Sequence, residues 1–165
     1  MRHRVSLLIA IVVSASFGCA PAKPGGVAEG ATRDLPLSAL DGTKTELGAI
    51  VRGRPALVSL WATWCEACVG EIRALNQLEE RSRRLRGALV VGVAVGESPA
   101  AVCAFAERHR LEYPLFVDET YRVADALGER RVPSTIVFDR HGKIVFRGGA
   151  LDGAGLAAFR HVLAE

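Results

Sequence analysis

Two near-continuous apolar runs in the middle of the chain constrain its fold more than any other feature. They cover residues 56–62 (A-L-V-S-L-W-A) and 88–95 (A-L-V-V-G-V-A-V). Runs without polar alternation are typical of strands covered on both faces, as in parallel sheets, whose crossover connections place helices on the two faces. Between the runs, residues 65–85 carry apolar side chains at the helical spacing of Val69, Ile72 and Leu75. The sequence therefore predicts a strand–helix–strand unit at its centre.

Further elements extend this unit on both sides. The turn dipeptide Asp41-Gly42, inside residues 35–46, predicts a β-hairpin. Ser98 as a cap and Pro99 in the first turn open a helix that ends near residue 110. The remaining predicted elements are a strand at 115–117, a helix at 119–127, strands at 135–138 and 144–147, and a helix at 151–164. This order predicts an α/β fold, with a mixed central sheet, helices on both faces and an N-terminal β-hairpin.

The composition is that of one folded domain. Half of the 165 residues are hydrophobic and 24% are charged, which argues against a disordered chain. The formal net charge is only +3, and the basic residues form no stripe interleaved with aromatic side chains. We therefore expect no nucleic-acid partner.

The N-terminus has the layout of a secretory signal. Three basic residues, Arg2, His3 and Arg4, precede an apolar run over residues 5–17, and small residues follow. The run is shorter than the ~20 residues that a membrane-spanning helix needs. We therefore predict a signal peptide and a domain that works outside the cytoplasm, on the periplasmic side of a membrane, where disulfides persist.

Cys19 is the candidate site of lipidation. Ser16-Phe17-Gly18-Cys19 resembles a bacterial lipobox, although such motifs usually carry Leu in place of Ser16, and the alternative is ordinary cleavage after Ala20-Pro21-Ala22. We predict a lipoprotein-type signal peptide at 1–18, a flexible tether rich in Pro and Gly at 19–33, and a folded domain at 34–165. A lipid on Cys19 would anchor this domain to a membrane.

Cys65 and Cys68 carry the candidate chemistry. Cys65 falls where a predicted strand ends and a helix begins, so that free backbone N–H groups and the helix dipole favour its thiolate. This thiolate would attack a substrate disulfide, and Cys68, one helical turn later, would resolve the mixed disulfide. A structural disulfide and half of a zinc site use the same spacing. Because zinc normally takes four ligands and no second Cys-x-x-Cys or close His pair occurs, no metal site is predicted.

Four other residues are candidate site residues: Val132, Pro133, Glu71 and Trp64. A cis bond at Val132-Pro133 would turn the backbone of Val132 toward the sulfurs for substrate pairing, but the dipeptide alone indicates only a turn before a strand. Glu71 lies one turn after Cys68. Partial burial there would raise its pKa and let it exchange protons with Cys68, and the alternative is a solvated helix carboxylate. Trp64 is a candidate contact surface for substrate.

Residues 61–71 (W-A-T-W-C-E-A-C-V-G-E) and 131–135 (R-V-P-S-T) resemble the TlpA/ResA family of extracytoplasmic thioredoxin-like proteins. The resemblance extends over about residues 35–165. It implies a thioredoxin-like fold, a reactive Cys65, a resolving Cys68 and a cis-Pro at Pro133, and it favours the functional interpretation of Glu71. The family usually has Pro where this chain has Ala67, a departure that bears on the reduction potential.

The same resemblance implies partners and cofactors. Protein disulfides would be the substrates, with apocytochrome c in cytochrome c maturation as one of them, and a membrane-embedded thiol donor would supply the electrons. A monomer is the default state in this family. The redox-active disulfide Cys65–Cys68 would serve without any other cofactor.

Two other functions occur on the same fold. Copper metallochaperones that resemble this chain space their Cys pair by three residues, whereas the spacing here is two and Met occurs only at position 1. A peroxiredoxin-like peroxidase needs Thr or Ser three residues before its Cys, where this chain has Ala62.

Cys103, inside a predicted helix, is expected to be a buried core thiol, with a third redox partner as the alternative. The sequence favours a thiol–disulfide oxidoreductase that reduces protein disulfides.

Overall fold

The computed structural model describes residues 34–84 and 87–165, which form seven strands and five helices. In chain order they are β1 (Pro36–Ala39), β2 (Lys44–Glu46), α1 (Leu47–Val51), β3 (Ala56–Trp61), α2 (Glu66–Arg84), β4 (Leu89–Val95), α3 (Pro99–His109), β5 (Leu115–Asp118), α4 (Arg122–Leu127), β6 (Ser134–Phe138), β7 (Ile144–Gly148) and α5 (Gly153–Ala164). The predicted leader and tether, with Cys19, lie outside the described residues. Within the described ranges, no helix has both the length and the apolar character needed to cross a membrane.

The seven strands form one mixed sheet in the order β2-β1-β5-β4-β3-β6-β7. The two apolar runs of the sequence are the adjacent parallel strands β3 and β4, and β5 continues the parallel part. The predicted N-terminal hairpin, β1 and β2, pairs antiparallel with β5 at one edge. The terminal strands β6 and β7 extend the other side of the sheet, again antiparallel.

Side-chain alternation along β3 divides the core between the two faces of the sheet. Val58 and Leu60 belong to the apolar cluster that α1 and α4 cover. Leu57 and Trp61 point to the opposite face, where α2, α3 and α5 pack. Every residue of β3 and β4 is buried because helices cover both faces, as predicted from the unbroken apolar runs.

Three features differ from the sequence predictions. The helix predicted over 119–127 begins only at Arg122, because Tyr121 has a left-handed backbone conformation. The short helix α1 was not predicted; it has no side-chain cap, and it is stabilised by burial of residues such as Leu47 and Val51. The expected burial of Cys103 is wrong. Its neighbour Val102 takes the inward position on α3, and the half-buried thiol of Cys103 lies 3.9 Å from Oε1 of Glu107.

A buried carboxylate ties the central helix to the central strand. Pairing of β4 with β5 begins only at Gly92, and the N–H of Val90, upstream of it, donates to Oε2 of Glu79 at 3.0 Å. The other oxygen of Glu79 accepts a hydrogen bond from Nε of Arg83 at 2.9 Å. The Glu79 side chain is only 5% exposed. Glu79 therefore accepts the hydrogen bond of a buried backbone N–H group, that of Val90, which has no partner on β5.

We expect Glu79→Ala to lower the free energy of unfolding by about 1–3 kcal/mol, because the buried N–H of Val90 loses its acceptor. The matched control is Glu80→Ala. Glu80 forms the same kind of i,i+4 pair, with Arg84, but its side chain is 65% exposed. Its loss should cost about 0.5 kcal/mol or less. Urea denaturation of both variants measures the difference, and equal losses would contradict the role given to Glu79.

Candidate active site

Cys65 and Cys68 form a disulfide at the start of α2, shortly after the end of β3. Cys65 immediately precedes the first residue of the helix, and the N–H of Cys68 donates to Sγ of Cys65 at 3.1 Å. The two cysteines are only 6% and 5% exposed, and they pack in one apolar cluster with Trp61 and Ala94. A sulfur that accepts an N–H bond at a helix start is stabilised as a thiolate once the disulfide is reduced.

The Val132–Pro133 peptide bond is cis and lies at the same edge of the sheet. Registered pairing of β6 with β3 ends at Ser134 opposite Leu60, so Val132 and Pro133 stand just beyond the ladder. The side chain of Val132 packs against the cluster that contains both cysteines. The structure therefore brings the Cys pair and the Val132-Pro133 turn together, although they are far apart in sequence.

Ser134 anchors this turn through a contact that was not anticipated. Its Oγ donates to Oε2 of Glu129 at 2.7 Å, and Oε1 of Glu129 lies 3.5 Å from Nη1 of Arg147. The same Arg147 nitrogen donates to the carbonyl oxygen of Leu127. These bonds hold the segment from α4 to β6 in one conformation beside the disulfide.

Trp64 lies beside the disulfide and is 72% exposed. It lines a groove of about 330 Å³ together with Val132 and Tyr121. On its other side, Trp64 borders a second concavity formed with Thr63 and Phe105. A large ring left in water at this position adds little to the core, so it is available for contact with a substrate.

Thr63 and Glu97 form the polar contact that positions the loop before Cys65. Oε1 of Glu97 accepts from the backbone N–H of Thr63 at 2.9 Å and from its hydroxyl at 2.7 Å. Glu97 was not identified from the sequence. The sequence did contain a signal for this contact. Thr63 follows β3 and Glu97 follows β4, and the carboxyl ends of neighbouring parallel strands lie at the same edge of a sheet.

Glu71 is half-buried, so the alternative of a solvated helix carboxylate is wrong. Its Oε1 accepts a hydrogen bond from the backbone N–H of Leu151, in the segment between β7 and α5. Burial raises the pKa of Glu71, and the bond from Leu151 opposes part of that rise. Burial, and then the charge of Glu71, raise the pKa of Tyr113. Glu71 is therefore a carboxyl group that holds its proton more readily than a free glutamate.

In the part of the chain that the structure describes, no three His, Cys, Asp or Glu side chains gather as a group that could hold a metal ion. His109 stacks on Phe105 instead, with 4.1 Å between ring centroids.

We expect the free energy of unfolding of the wild type, minus that of Glu71→Gln, to fall as the pH rises from about 4 to 7. The raised pKa means that the folded chain keeps this proton to a higher pH than the unfolded chain. The stability that results is complete at low pH and is lost as the pH rises through the folded pKa. Urea titrations across this range measure the difference, with the exposed Glu66→Gln in the same helix as control. A difference that grows with pH would contradict this placement of Glu71.

Comparison with known proteins agrees with the geometry of the site. Residues 29–147 match the model of the AhpC/TSA family. The thiol-disulfide oxidoreductase ResA of Geobacillus thermodenitrificans is 34% identical over 119 residues, which cover 72% of this chain and 67% of the relative.

Solved structures support the fold. MTB DsbF has a TM-score of 0.68 at 24% identity, with 81% of this chain and 96% of the other covered. The pneumococcal exposed lipoprotein thioredoxin Etrx1 of Streptococcus pneumoniae has a TM-score of 0.66 at 20% identity, with 80% and 99% covered. The expected thioredoxin-like fold is therefore confirmed. With its Cys65–Cys68 disulfide at the start of α2, the chain belongs to the AhpC/TSA family and, within it, to the ResA-like thiol–disulfide oxidoreductases.

Proposed function

We propose that this chain reduces disulfide bonds of proteins outside the cytoplasm, with Cys65 as the attacking and Cys68 as the resolving residue. The observation that carries the proposal is the disulfide itself, because it lies at a helix start and stands beside the Val132-Pro133 turn. Such a pair can be opened and closed by exchange, whereas a bridge between residues so close in sequence adds little stability through loop closure.

The exchange begins from the reduced pair. The thiolate of Cys65 attacks one sulfur of the substrate disulfide, so that a mixed disulfide forms and the other substrate sulfur leaves as a thiolate, which takes up a proton. Cys68 then loses its proton and attacks Sγ of Cys65. The Cys65–Cys68 disulfide forms, and the first substrate sulfur is released. The substrate gains two electrons and the enzyme loses two.

Glu71 supports the second step in this proposal as the group that takes the proton of Cys68. It follows Cys68 by one helical turn, and burial raises its pKa, which makes the carboxylate a stronger proton acceptor than a free glutamate. The hydrogen bond from Leu151 fixes the orientation of the carboxyl group. Val132 and Pro133 would contact the substrate backbone in the mixed disulfide, and Trp64 would contact its side chains.

The cellular setting is also part of the proposal. A signal peptide at 1–18 and lipidation of Cys19 would place the domain at a membrane on the periplasmic side. The similar protein from Streptococcus pneumoniae is named an exposed lipoprotein thioredoxin. A membrane-embedded dithiol would return two electrons to Cys65–Cys68 after each turnover, so no other cofactor is needed. Apocytochrome c is the substrate we propose, since ResA-like proteins typically serve cytochrome c maturation, and we propose a monomer.

We expect the full-length chain to catalyse reduction of insulin by dithiothreitol, and Cys65→Ser to reduce the rate to the uncatalysed background. Cys68→Ser should instead accumulate a mixed disulfide with the substrate, visible on non-reducing gels and released by excess thiol, because the resolving group is absent. Cys103→Ser is the matched control, since this cysteine is free and lies on α3. Catalysis that survives in Cys65→Ser, or is lost in Cys103→Ser, would refute the assigned roles.

A further inference from the structure

Tyr121 has a backbone conformation that residues other than glycine rarely adopt. Its φ is 61° and its ψ is 11°, in the left-handed region, at the residue before α4. Arg110 is the other non-glycine residue with positive φ among those described, and it ends α3 away from the groove. Residues held in such conformations cluster at ligand-binding positions, where the surrounding structure fixes them.

The surroundings of Tyr121 determine this conformation by several contacts. Asp118, at the end of β5, accepts hydrogen bonds from the backbone N–H groups of Val123 and Ala124 at 3.0 and 2.9 Å through its carboxylate. The carbonyl of Asp118 accepts from the N–H of Gly96 at 2.9 Å and from that of Tyr121 at 3.4 Å. The turn that carries Tyr121 is thereby fixed to the end of β5 and to the residue that follows β4.

The ring of Tyr121 is placed over Gly96. A Cβ at Gly96 would lie 2.0 Å from Oη of Tyr121 and 2.2 Å from its Cζ, so only glycine leaves room for the ring. Gly96 itself has a φ of +71°, which also favours glycine. The tyrosine nevertheless remains 49% exposed. The backbone conformation of Tyr121 therefore places its aromatic ring at the protein surface, over Gly96, and not in the core.

That position is the groove beside the disulfide. Tyr121, Trp64 and Val132 line it together with the buried aliphatic residues Leu60, Val95 and Ala124. The rest of its lining is charged: Asp125, Glu129, Arg130 and Arg131. Trp64 and Val132 are the chain neighbours of Cys65 and Pro133. A polypeptide joined to Cys65 by a mixed disulfide must place the residues next to its own cysteine over these two side chains.

From this geometry we infer that Tyr121 is a specificity-determining residue: its ring, with Trp64, binds a bulky apolar side chain that neighbours the reactive cysteine of the substrate polypeptide. This inference rests on the proposed function. The side chain that contacts the two rings is expected to be apolar, because Tyr121 and Trp64 share the lining with aliphatic residues and an aromatic ring gains most from burial against apolar surface. It belongs to the substrate because Trp64 and Val132, which line the groove, adjoin Cys65 and Pro133 in the chain.

The test uses the full-length chain, reduced with dithiothreitol and then freed of it. The probes are two synthetic peptides, each closed by one disulfide, identical except that both cysteines are flanked by Leu in one and by Ser in the other. Each rate of reduction is divided by the rate of the same peptide with dithiothreitol alone, which removes intrinsic differences in reactivity. Bis(2-hydroxyethyl) disulfide, which has no side chain to bind, reports the basal exchange.

We expect the wild type to reduce the Leu peptide about tenfold or more faster than the Ser peptide. Tyr121→Asn and Tyr121→Gly should bring this ratio close to one, because both residues accept the left-handed backbone and lack the ring. Tyr121→Phe should keep the preference. Val145→Ala, which truncates another exposed apolar side chain, on β7, should also keep it. Reduction of bis(2-hydroxyethyl) disulfide should be unchanged in Val145→Ala, and each peptide rate is compared with the rate for this small disulfide in the same variant.

Equal rates for the two peptides with the wild type, or a preference that survives in Tyr121→Asn and Tyr121→Gly, would overturn the role of Tyr121 and leave the proposed function standing. A wild type that reduces neither peptide nor bis(2-hydroxyethyl) disulfide would refute the proposed function, and the role of Tyr121 with it.

Discussion

The parallel pairing of β3 with β4 is the constraint on which the site depends. Six residue pairs join the two strands, from Ala56–Leu89 to Trp61–Ala94, and both strands are buried along their whole length. Because parallel strands run in the same direction, the loops that follow them emerge at one edge of the sheet. β5 adds a third parallel strand, whose end carries Asp118. The Cys pair, Glu97 and Tyr121 meet at this edge for that reason.

Apolar packing brings these loops to one edge, and a few polar contacts then fix their conformations. Glu97 holds Thr63 ahead of Cys65, Asp118 holds the start of α4, and Glu129 holds Ser134 after the cis bond. A hydrogen bond to a charged group contributes about 1.5–3 kcal/mol, so each contact favours the loop conformation in which it forms. The aromatic rings of Trp64 and Tyr121 remain exposed on this fixed frame, where they add little to stability and are free to bind substrate.

The fold was predictable where its signals are local. Unbroken apolar runs, helical spacing and the Asp41-Gly42 turn predicted the strands, the main helices and the hairpin, and the position of Cys65 before a helix indicated its chemistry. Contacts between loops had no such signal: the left-handed backbone of Tyr121 depends on its turn with Asp118 and on the ring's position over Gly96, which lies in the loop after another strand. The prediction for Cys103 was wrong because α3 is apolar on several sides, so its composition does not show which residue faces the sheet.

The equilibrium reduction potential of the full-length chain tests the central claim most directly. Thiol trapping in dithiothreitol or glutathione buffers of graded ratio would measure it, with Cys65→Ser as the control that has no pair to titrate. We expect one reversible two-electron transition with a midpoint of about −250 mV or lower, in the range of thioredoxin-type reductants. A midpoint of about −120 to −180 mV would indicate an oxidant or isomerase and contradict the proposed direction. Absence of any reversible transition at Cys65 and Cys68 would contradict dithiol exchange itself.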